Sequence, residues 1–142
     1  MEQSSRRRVL IVEDEVMVAM LLQEMISDLG HDVVGPASTI ETGLQLARQE
    51  LFDCAILDMN LGNGVSSTPV AIALKLRGIP FMFSTGYDRD DTREFDDVPR
   101  LHKPYGPADL EEALGRLLSR TDLLAADGRE RQRVLHGAAH QK

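Results

Sequence analysis

The chain of 142 residues contains a single cysteine, Cys54, and therefore cannot form a disulfide within itself. Cys54 lies in the apolar run 54–57, and we interpret it as a buried, reduced thiol. The sequence also lacks any apolar run of membrane-spanning length. Arg6-Arg7-Arg8 leads directly into a short strand-like run, without the pattern of a signal peptide. We therefore expect a cytoplasmic protein with no membrane partner.

Positive charge is scarce as well. The chain has 16 lysine and arginine residues against 23 acidic residues, which gives a net charge of −7. A chain with this balance repels the phosphate backbone of nucleic acids, which disfavours general nucleic-acid binding as its function. We expect no nucleic-acid partner.

The length of the chain fits one domain with a substantial core. We place this domain at residues 7–119, after an N-terminal arm of residues 1–6 and before a C-terminal tail of residues 120–142. Apolar residues in the tail, such as Leu123, favour a helix, whereas Gly128 and the charges around it favour mobility. We expect the tail to be mobile or partly helical.

Strand-like and helix-like segments alternate along the chain. Short apolar runs predict five strands, at Arg8–Val12, Asp32–Ala37, Cys54–Leu57, Phe81–Ser84 and Arg100–His102. Apolar residues at helical spacing predict helices that begin at Glu15, Ser38, Thr68 and Pro107. This alternation implies a parallel sheet that is covered by helices on both faces.

Three local patterns refine the helices. Ser38 and Glu41 form a capping-box pattern at the start of the second helix. Thr68 is followed by a proline at the first helical position of the third helix. Met17, Met20 and Met25, in the first helix, are interpreted as packing residues.

The link before the fifth strand breaks the alternation. Between Tyr87 and Val98 the only apolar residue is Phe95, and six residues are acidic. Little burial is available to offset the entropy of ordering such a segment. We expect a mobile, irregular loop or a single turn there, in place of a packed helix.

Charged side chains follow three of the predicted strands. Glu13, Asp14 and Glu15 follow the first strand, Asp58 follows the third, and Lys103 follows the fifth. The carboxyl ends of parallel strands share one edge, which is where open α/β sheets bind ligands. Acids on two strand ends and a lysine on a third therefore predict a site for a divalent cation and an anion.

Each of these residues also has an ordinary explanation when it is taken alone. Asp58 fits a turn former or a helix cap, and the acids after the first strand fit the acidic first turn of a helix. Lys103 fits a solvated loop lysine. The ordered spacing of all of them along the chain favours a functional site.

These residues resemble the motifs of receiver domains of two-component response regulators (CheY-like). The resemblance covers about residues 7–119 and is carried by the strand-end residues Glu13, Asp14, Asp58, Thr85, Lys103 and Pro104. It implies a doubly wound, five-stranded parallel sheet of the flavodoxin-like type, with strand order 2-1-3-4-5. Receivers usually have a full fourth helix before the fifth strand, but the link in this chain leaves hardly any room for one, so we expect that helix to be short or missing.

The string Pro80–Tyr87 is similar to a narrower subgroup of mostly single-domain receivers, marked by Pro-Phe-x-Phe-Ala-Thr-Gly-Tyr. Ser84 replaces the alanine of that motif, a change that we do not expect to matter. The resemblance to this subgroup implies a sensor histidine kinase of the HWE or a related class as the partner.

The resemblance implies a phosphoacceptor, not an enzyme that turns over an external substrate. Asp58 would take a phosphoryl group from a phosphohistidine of the kinase with Mg²⁺ as cofactor. Asp14 and Asp58 would bind Mg²⁺ directly, Glu13 through water, and Asn60 through its backbone carbonyl. Mg²⁺ prefers oxygen ligands and retains waters, which suits this set.

Two further residues would contact the phosphoryl oxygens. Lys103 would supply a positive charge, and the Thr85 hydroxyl would donate a hydrogen bond. Many receivers carry an aromatic switch residue three positions before the lysine, where this chain has Arg100. We therefore expect Tyr87 to act as the substitute switch residue.

Three functions remain open from the sequence. The first is a switch whose phosphorylation changes binding to an unknown downstream protein. The second is a phosphate sink or shuttle that drains a kinase. The third is an Mg²⁺-dependent phosphohydrolase of the haloacid-dehalogenase type, which would need an aspartate two residues after Asp58. Asn60 stands there and cannot transfer protons, which disfavours the hydrolase.

Overall fold

The computed structural model describes residues 6–86 and 95–140, and the side chains of residues 6–86 and 95–126. The strands are β1 (Arg8–Val12), β2 (Asp32–Ala37), β3 (Cys54–Asp58), β4 (Phe81–Thr85) and β5 (Arg100–His102). The helices among these residues are α1 (Val16–Asp28), α2 (Ile40–Gln49), α3 (Thr68–Arg77) and α4 (Pro107–His140). Every strand pair is parallel and the order is β2-β1-β3-β4-β5, which confirms the predicted sheet.

The sheet is covered on both faces, which explains why its central strands are almost continuously apolar. On one face, strand residues such as Leu10 and Phe83 pack with Leu74 of α3. On the other face, strand residues such as Ile56 pack with Leu22 of α1 and with α4. Alternate residues of each strand belong to opposite faces, as the two-residue period of a strand requires. The rigid sheet fixes the positions of the loops at its carboxyl edge.

The single cysteine belongs to this core. Cys54 is fully buried and forms no disulfide. Burial raises the pKa of its thiol to about 12, so the thiol keeps its proton at neutral pH.

The predicted helix starts are confirmed for α3 and corrected for α2. Pro69 lies in the first turn of α3, and the helix ends at Gly78, whose φ of 70° is left-handed. In α2 the capping residue is Thr39 and not Ser38. Thr39 Oγ1 accepts a hydrogen bond from Thr42 N at 3.1 Å, so the helix begins one residue later than the capping-box pattern predicted.

The first helix presents an apolar face to solvent, which the interpretation of its methionines missed. Met17 is 72% exposed and Met20 is 61% exposed, so they do not pack in the core. The buried residues of α1 are Ala19, Leu22 and Ile26.

Helix α4 continues through the predicted boundary at residue 119 and into the tail. Thr121 Oγ1 donates a hydrogen bond to the Asp53 carbonyl at 2.9 Å, and Arg7 forms an ion pair with Asp122 at 2.7 Å. These contacts attach the first turn of the tail to the domain. No helix among the described residues is both long and apolar enough to cross a membrane.

The link before β5 is described only from Phe95 onward. The expected irregular loop and the absence of a fourth helix concern mainly residues 87–94, which lie outside the described residues. At the end of the link, Phe95 and Val98 are buried, and the Phe95 ring makes an edge contact with Phe83 at 5.7 Å. The expectation that the link lacks apolar anchors is therefore wrong for this part.

Arg100 connects that anchored turn to the sheet. Its guanidinium donates hydrogen bonds to the carbonyls of Phe95 and Val98, and it lies over the Phe83 ring at 5.2 Å. A cation thus occupies the position that is aromatic in many receivers, and it holds the chain that enters β5.

Candidate functional site

Three acidic side chains meet at the carboxyl edge of the sheet. Glu13 and Asp14 follow β1, and Asp58 is the last residue of the neighbouring strand β3. One carboxylate oxygen from each of the three lies within 4.8 Å of the others. Parallel pairing of β1 with β3 brings these ends together, so the predicted cluster follows directly from the topology.

Lys103 approaches the acids from the end of β5. Its Nζ lies 3.2 Å from Glu13 Oε1 and 3.6 Å from Asp58 Oδ2. Glu15, at the start of α1, is 3.7 Å from the same ammonium. Within the described part of the chain, Lys103 is the one cation at ion-pair distance from Glu13, Asp14 or Asp58. The Lys103–Pro104 peptide bond is cis.

Glu13 is buried with one oxygen unsatisfied. Its side chain is only 2% exposed, and Oε2 accepts a hydrogen bond from the backbone N–H of Glu15 at 3.1 Å. Oε1 forms the 3.2 Å ion pair with the Lys103 ammonium but accepts no hydrogen bond of good geometry from any described residue. A buried carboxylate oxygen with incomplete hydrogen bonding can accept a further hydrogen bond from a water. The donor set therefore fits a hydrated cation.

The titration behaviour of the site reflects the same excess of negative charge. Burial, together with the neighbouring Glu13 carboxylate, raises the pKa of Asp58 to about 7. Burial by itself lowers the pKa of Lys103, but the carboxylates of Asp58 and Glu13 outweigh it, so the pKa lies above its usual range. Without a bound cation, this environment favours a protonated Asp58 and a charged Lys103.

The loop after β3 completes the wall of the site. The backbone N–H of Asn60 donates to Asp58 Oδ1 at 3.3 Å, which orients that carboxylate. Asn60 Oδ1 in turn accepts from the N–H of Gly62 at 3.1 Å. Asn60 and Gly62 line a cavity of about 380 Å³, together with Asp14, Glu15, Asp58, Met59, Thr85, Gly86 and Lys103. The cavity has room for an ion and a phosphoryl group beside Asp58.

Thr85 ends β4 between the acids and the lysine. Its side chain is buried and its hydroxyl donates weakly to the adjacent Gly86 carbonyl at 3.4 Å. The backbone N–H of Lys103 donates to the Thr85 carbonyl at 2.8 Å, so the two residues are held side by side. The hydroxyl is therefore available for a stronger acceptor in the cavity.

The structure thus brings together six of the seven predicted site residues: Glu13, Asp14, Asp58, Asn60, Thr85 and Lys103. Tyr87 lies outside the described residues. The individual roles of all seven stay predictions.

Sequence reasoning missed two features around the site. The first is a small hairpin at residues 60–66, for which the dipeptide Asn63-Gly64 was an available signal.

The second is a pair of buried hydroxyls, Ser84 Oγ and Tyr105 Oη, which lie close together but make no hydrogen bond within the described residues. Burial raises the pKa of the Tyr105 hydroxyl. Ser84 is therefore a buried polar group in the core, and the expectation that it is inconsequential stays untested.

The chain spans part of longer relatives. It is 33% identical over 114 residues to the phyllosphere-induced regulator PhyR of Methylorubrum extorquens. The alignment covers 78% of this chain and 43% of PhyR. The chain spans less than two thirds of the length of the curated relatives it matches. These relatives are named as regulators and not as enzymes.

Solved structures agree with this likeness. The solution structure of SdrG from Sphingomonas melonis Fr1 has 41% identity and a TM-score of 0.73, and covers 82% of this chain and 99% of SdrG. The BeF3-activated conformation of SdrG has 40% identity, a TM-score of 0.68 and the same coverage.

A match to a family model identifies the family of the chain. The model of the response regulator receiver domain matches residues 9–115, a span that contains the acids, Thr85 and Lys103 of the site. Receiver domains are signalling domains that generally bind Mg²⁺ at an acidic pocket and interact with histidine kinases. Because the match covers most of the chain, the chain belongs to the response regulator receiver family of two-component systems.

Proposed function

We propose that the chain is a phosphoacceptor switch in which Asp58 takes a phosphoryl group from a histidine kinase. The observation that carries the proposal is the placement of the Asp58 carboxylate. It lies beside Glu13 and Asp14 and 3.6 Å from the Lys103 ammonium, in a cavity reached from the carboxyl edge of the sheet. These groups match the needs of phosphoryl transfer, which are an oxygen nucleophile, charge neutralisation and alignment.

The acids of the site fit Mg²⁺. Asp14 and Asp58 would hold it directly, Glu13 through a water at its unsatisfied oxygen, and Asn60 through its backbone carbonyl. When bound, Mg²⁺ would offset the repulsion between the carboxylates and an incoming phosphoryl group.

The chemical step belongs to Asp58. A carboxylate oxygen of Asp58 attacks phosphorus, and the new O–P bond forms as the P–N bond to the donor histidine breaks. The histidine nitrogen leaves with the electron pair of the broken bond, and the ring takes up a proton from solvent to become neutral imidazole. Lys103 and Thr85, which flank the cavity, would bind oxygens of the transferred phosphoryl group by charge and by hydrogen bond.

Phosphorylation by a small donor tests this directly. With Mg²⁺ and acetyl phosphate, the wild type should gain the mass of one phosphoryl group while acetate is released. Asp58→Asn should fold and gain nothing, because an amide keeps the shape and loses the nucleophile. Asp53→Asn is a matched control, since Asp53 lies just before the amino end of the same strand. Full modification of Asp58→Asn would refute the assignment.

The exposed apolar face of α1 suggests where the kinase docks. Val16 is 68% exposed and Leu21 is 56% exposed, next to the exposed methionines Met17 and Met20. This face begins beside Glu15, which lines the cavity. A contiguous apolar surface next to a reactive group is typical of a partner site. We propose that the kinase helices carrying the phosphohistidine pack on this face.

A charge on that face separates docking from chemistry. Met17→Glu should slow transfer from the cognate phosphorylated kinase at least about tenfold. It should leave phosphorylation by acetyl phosphate unchanged, because the small donor needs no docking surface. Leu76→Glu is the control, since Leu76 is an apolar residue on α3 that is even more exposed than Met17. Equal slowing by both variants would exclude a docking role for α1.

The proposed output of the switch is a change in binding to a downstream protein. The subgroup resemblance of Pro80–Tyr87 supports a kinase of the HWE class. The free, buried thiol of Cys54 supports a cytoplasmic location. SdrG, which is similar to this chain, has a BeF3-activated conformation, and this supports a conformational response here. Tyr87→Ala should leave phosphorylation intact and uncouple it from partner binding. A long-lived acyl phosphate, lasting many minutes, favours a switch, whereas a lifetime of seconds favours a phosphate sink.

A further inference from the structure

The loop that closes the acidic cavity is a tight hairpin. Asn60 and Ser66 form an antiparallel bridge, and Leu61 N donates to the Val65 carbonyl at 2.8 Å. Val65 N also donates to the Gly62 carbonyl at 2.9 Å, which closes a four-residue turn. The hairpin follows Asp58 directly and forms one wall of the cavity.

Three successive residues in this hairpin have left-handed backbones. Asn63 and Gly64, at the centre of the turn, have φ of 50° and 75°, the signs that a type I′ turn requires. Gly62, just before them, has φ of 84°. Gly62 and Gly64 therefore both require a backbone with positive φ, and an L-residue with a side chain is strained at either position.

The two glycines differ in what lies above them. A methyl group on Gly62 would lie 3.1 Å from Asp14 Oδ2, whereas a methyl group on Gly64 would meet nothing within 4 Å. A carbon that close to the carboxylate would push it by a few tenths of an ångström. The missing side chain at Gly62 therefore leaves the Asp14 carboxylate in its place.

We propose that Gly62 is a positioning residue for the cation site, acting through Asp14. The inference rests on the proposed Mg²⁺-dependent phosphoacceptor. Mg²⁺ demands nearly ideal octahedral geometry with short bonds to oxygen, so a small displacement of one ligand lowers its affinity. The hairpin can approach the acids closely only because Gly62 carries no side chain.

The paired variants Gly62→Ala and Gly64→Ala test the inference. Mg²⁺ binding is measured by calorimetry on the full chain, and phosphorylation by acetyl phosphate is measured across Mg²⁺ concentrations. Gly62→Ala should weaken Mg²⁺ binding roughly tenfold, the range seen when support of a metal ligand is lost. At saturating Mg²⁺ its phosphorylation rate should return to that of the wild type. Gly64→Ala should lower the thermal midpoint comparably and keep wild-type Mg²⁺ affinity.

The outcomes separate this inference from the function on which it rests. If Gly62→Ala binds Mg²⁺ as tightly as the wild type, Gly62 does not position Asp14. Equal losses of affinity in Gly62→Ala and Gly64→Ala would assign the effect to the hairpin as a whole and would also overturn the inference. A wild type that binds no Mg²⁺ would instead refute the proposed site.

Discussion

The two edges of the sheet both gather charged residues, but they balance them differently. At the amino edge the acids face arginines: Asp122 pairs with Arg7 at 2.7 Å, and Asp32 pairs with Arg6 at 3.0 Å. Asp53 also accepts a hydrogen bond from the backbone N–H of Arg8. At the carboxyl edge three clustered acids face one lysine within the described residues, and a buried carboxylate oxygen lacks a hydrogen bond.

The difference indicates what each edge does. Matched, solvent-exposed ion pairs contribute little to stability and need no ligand. Buried acids without enough counter-charge destabilise the unliganded protein. Such clusters are typical of functional sites, where ligand binding offsets the destabilisation. The amino edge therefore anchors the helix that leaves the domain, whereas the carboxyl edge is prepared for a cation and a phosphoryl group.

The largest expected effect comes from removing charge at the carboxyl edge. The pKa of Asp58 is about 7 in the fold and about 3.8 in an ordinary carboxyl group. Without Mg²⁺, the folded state keeps a proton that the unfolded state releases, so stability falls as pH rises from about 4 to 7. The free energy of unfolding of Asp58→Asn should therefore exceed that of the wild type by roughly 2 to 4 kcal/mol near pH 8. Near pH 4 the two free energies should differ little. Denaturant unfolding in EDTA measures this difference, and a pH-independent difference would contradict the account.

A somewhat smaller effect is expected from adding Mg²⁺. Binding to the native state should stabilise the wild type by about 1 to 3 kcal/mol at saturating Mg²⁺. Asp14→Ala should abolish this gain, and Glu13→Ala should weaken it less because its contact runs through water. Thermal unfolding with and without Mg²⁺ measures the gain. The same gain in Asp14→Ala would place the bound ion elsewhere.

The smallest effect is expected at the amino edge. Asp122→Ala removes an exposed ion pair with Arg7 and should cost less than about 1 kcal/mol. Mg²⁺ affinity and phosphorylation should be unchanged, because the edge lies at the opposite end of the strands. A marked change in Mg²⁺ affinity in this variant would show that the two edges are coupled.

The sequence predicted those features that repeat along the chain or lie at the ends of apolar runs. Asp58 and Lys103 could be placed because each follows a strand, and parallel strands end at one edge. The features it missed depend on packing in three dimensions. Phe95 is one apolar residue in an acidic segment, and only its contact with Phe83 shows that it is an anchor. Met17 has the hydrophobicity of a core residue, yet it lies on the outer face of α1.

The hairpin at the site shows the same limit more finely. Asn63-Gly64 signalled a turn of a known type, so its backbone could have been predicted. The proximity of Gly62 to Asp14 could not, because these residues are 48 positions apart and meet only when β1 and β3 pair. Likewise, both Ser38 and Thr39 are residue types that cap helices, so residue type alone could not decide that Thr39 caps α2.

The most direct test of the contrast between the two edges is amide chemical-shift mapping during a Mg²⁺ titration of the wild type. Saturable shifts should cluster at the carboxyl edge, on Asp14, Asp58 and the hairpin residue Gly62. The amide chemical shifts of Asp53 and Asp122, at the amino edge, should not change. Shifts of equal size at both edges, or none at the carboxyl edge, would contradict the claim that uncompensated acids there form the cation site.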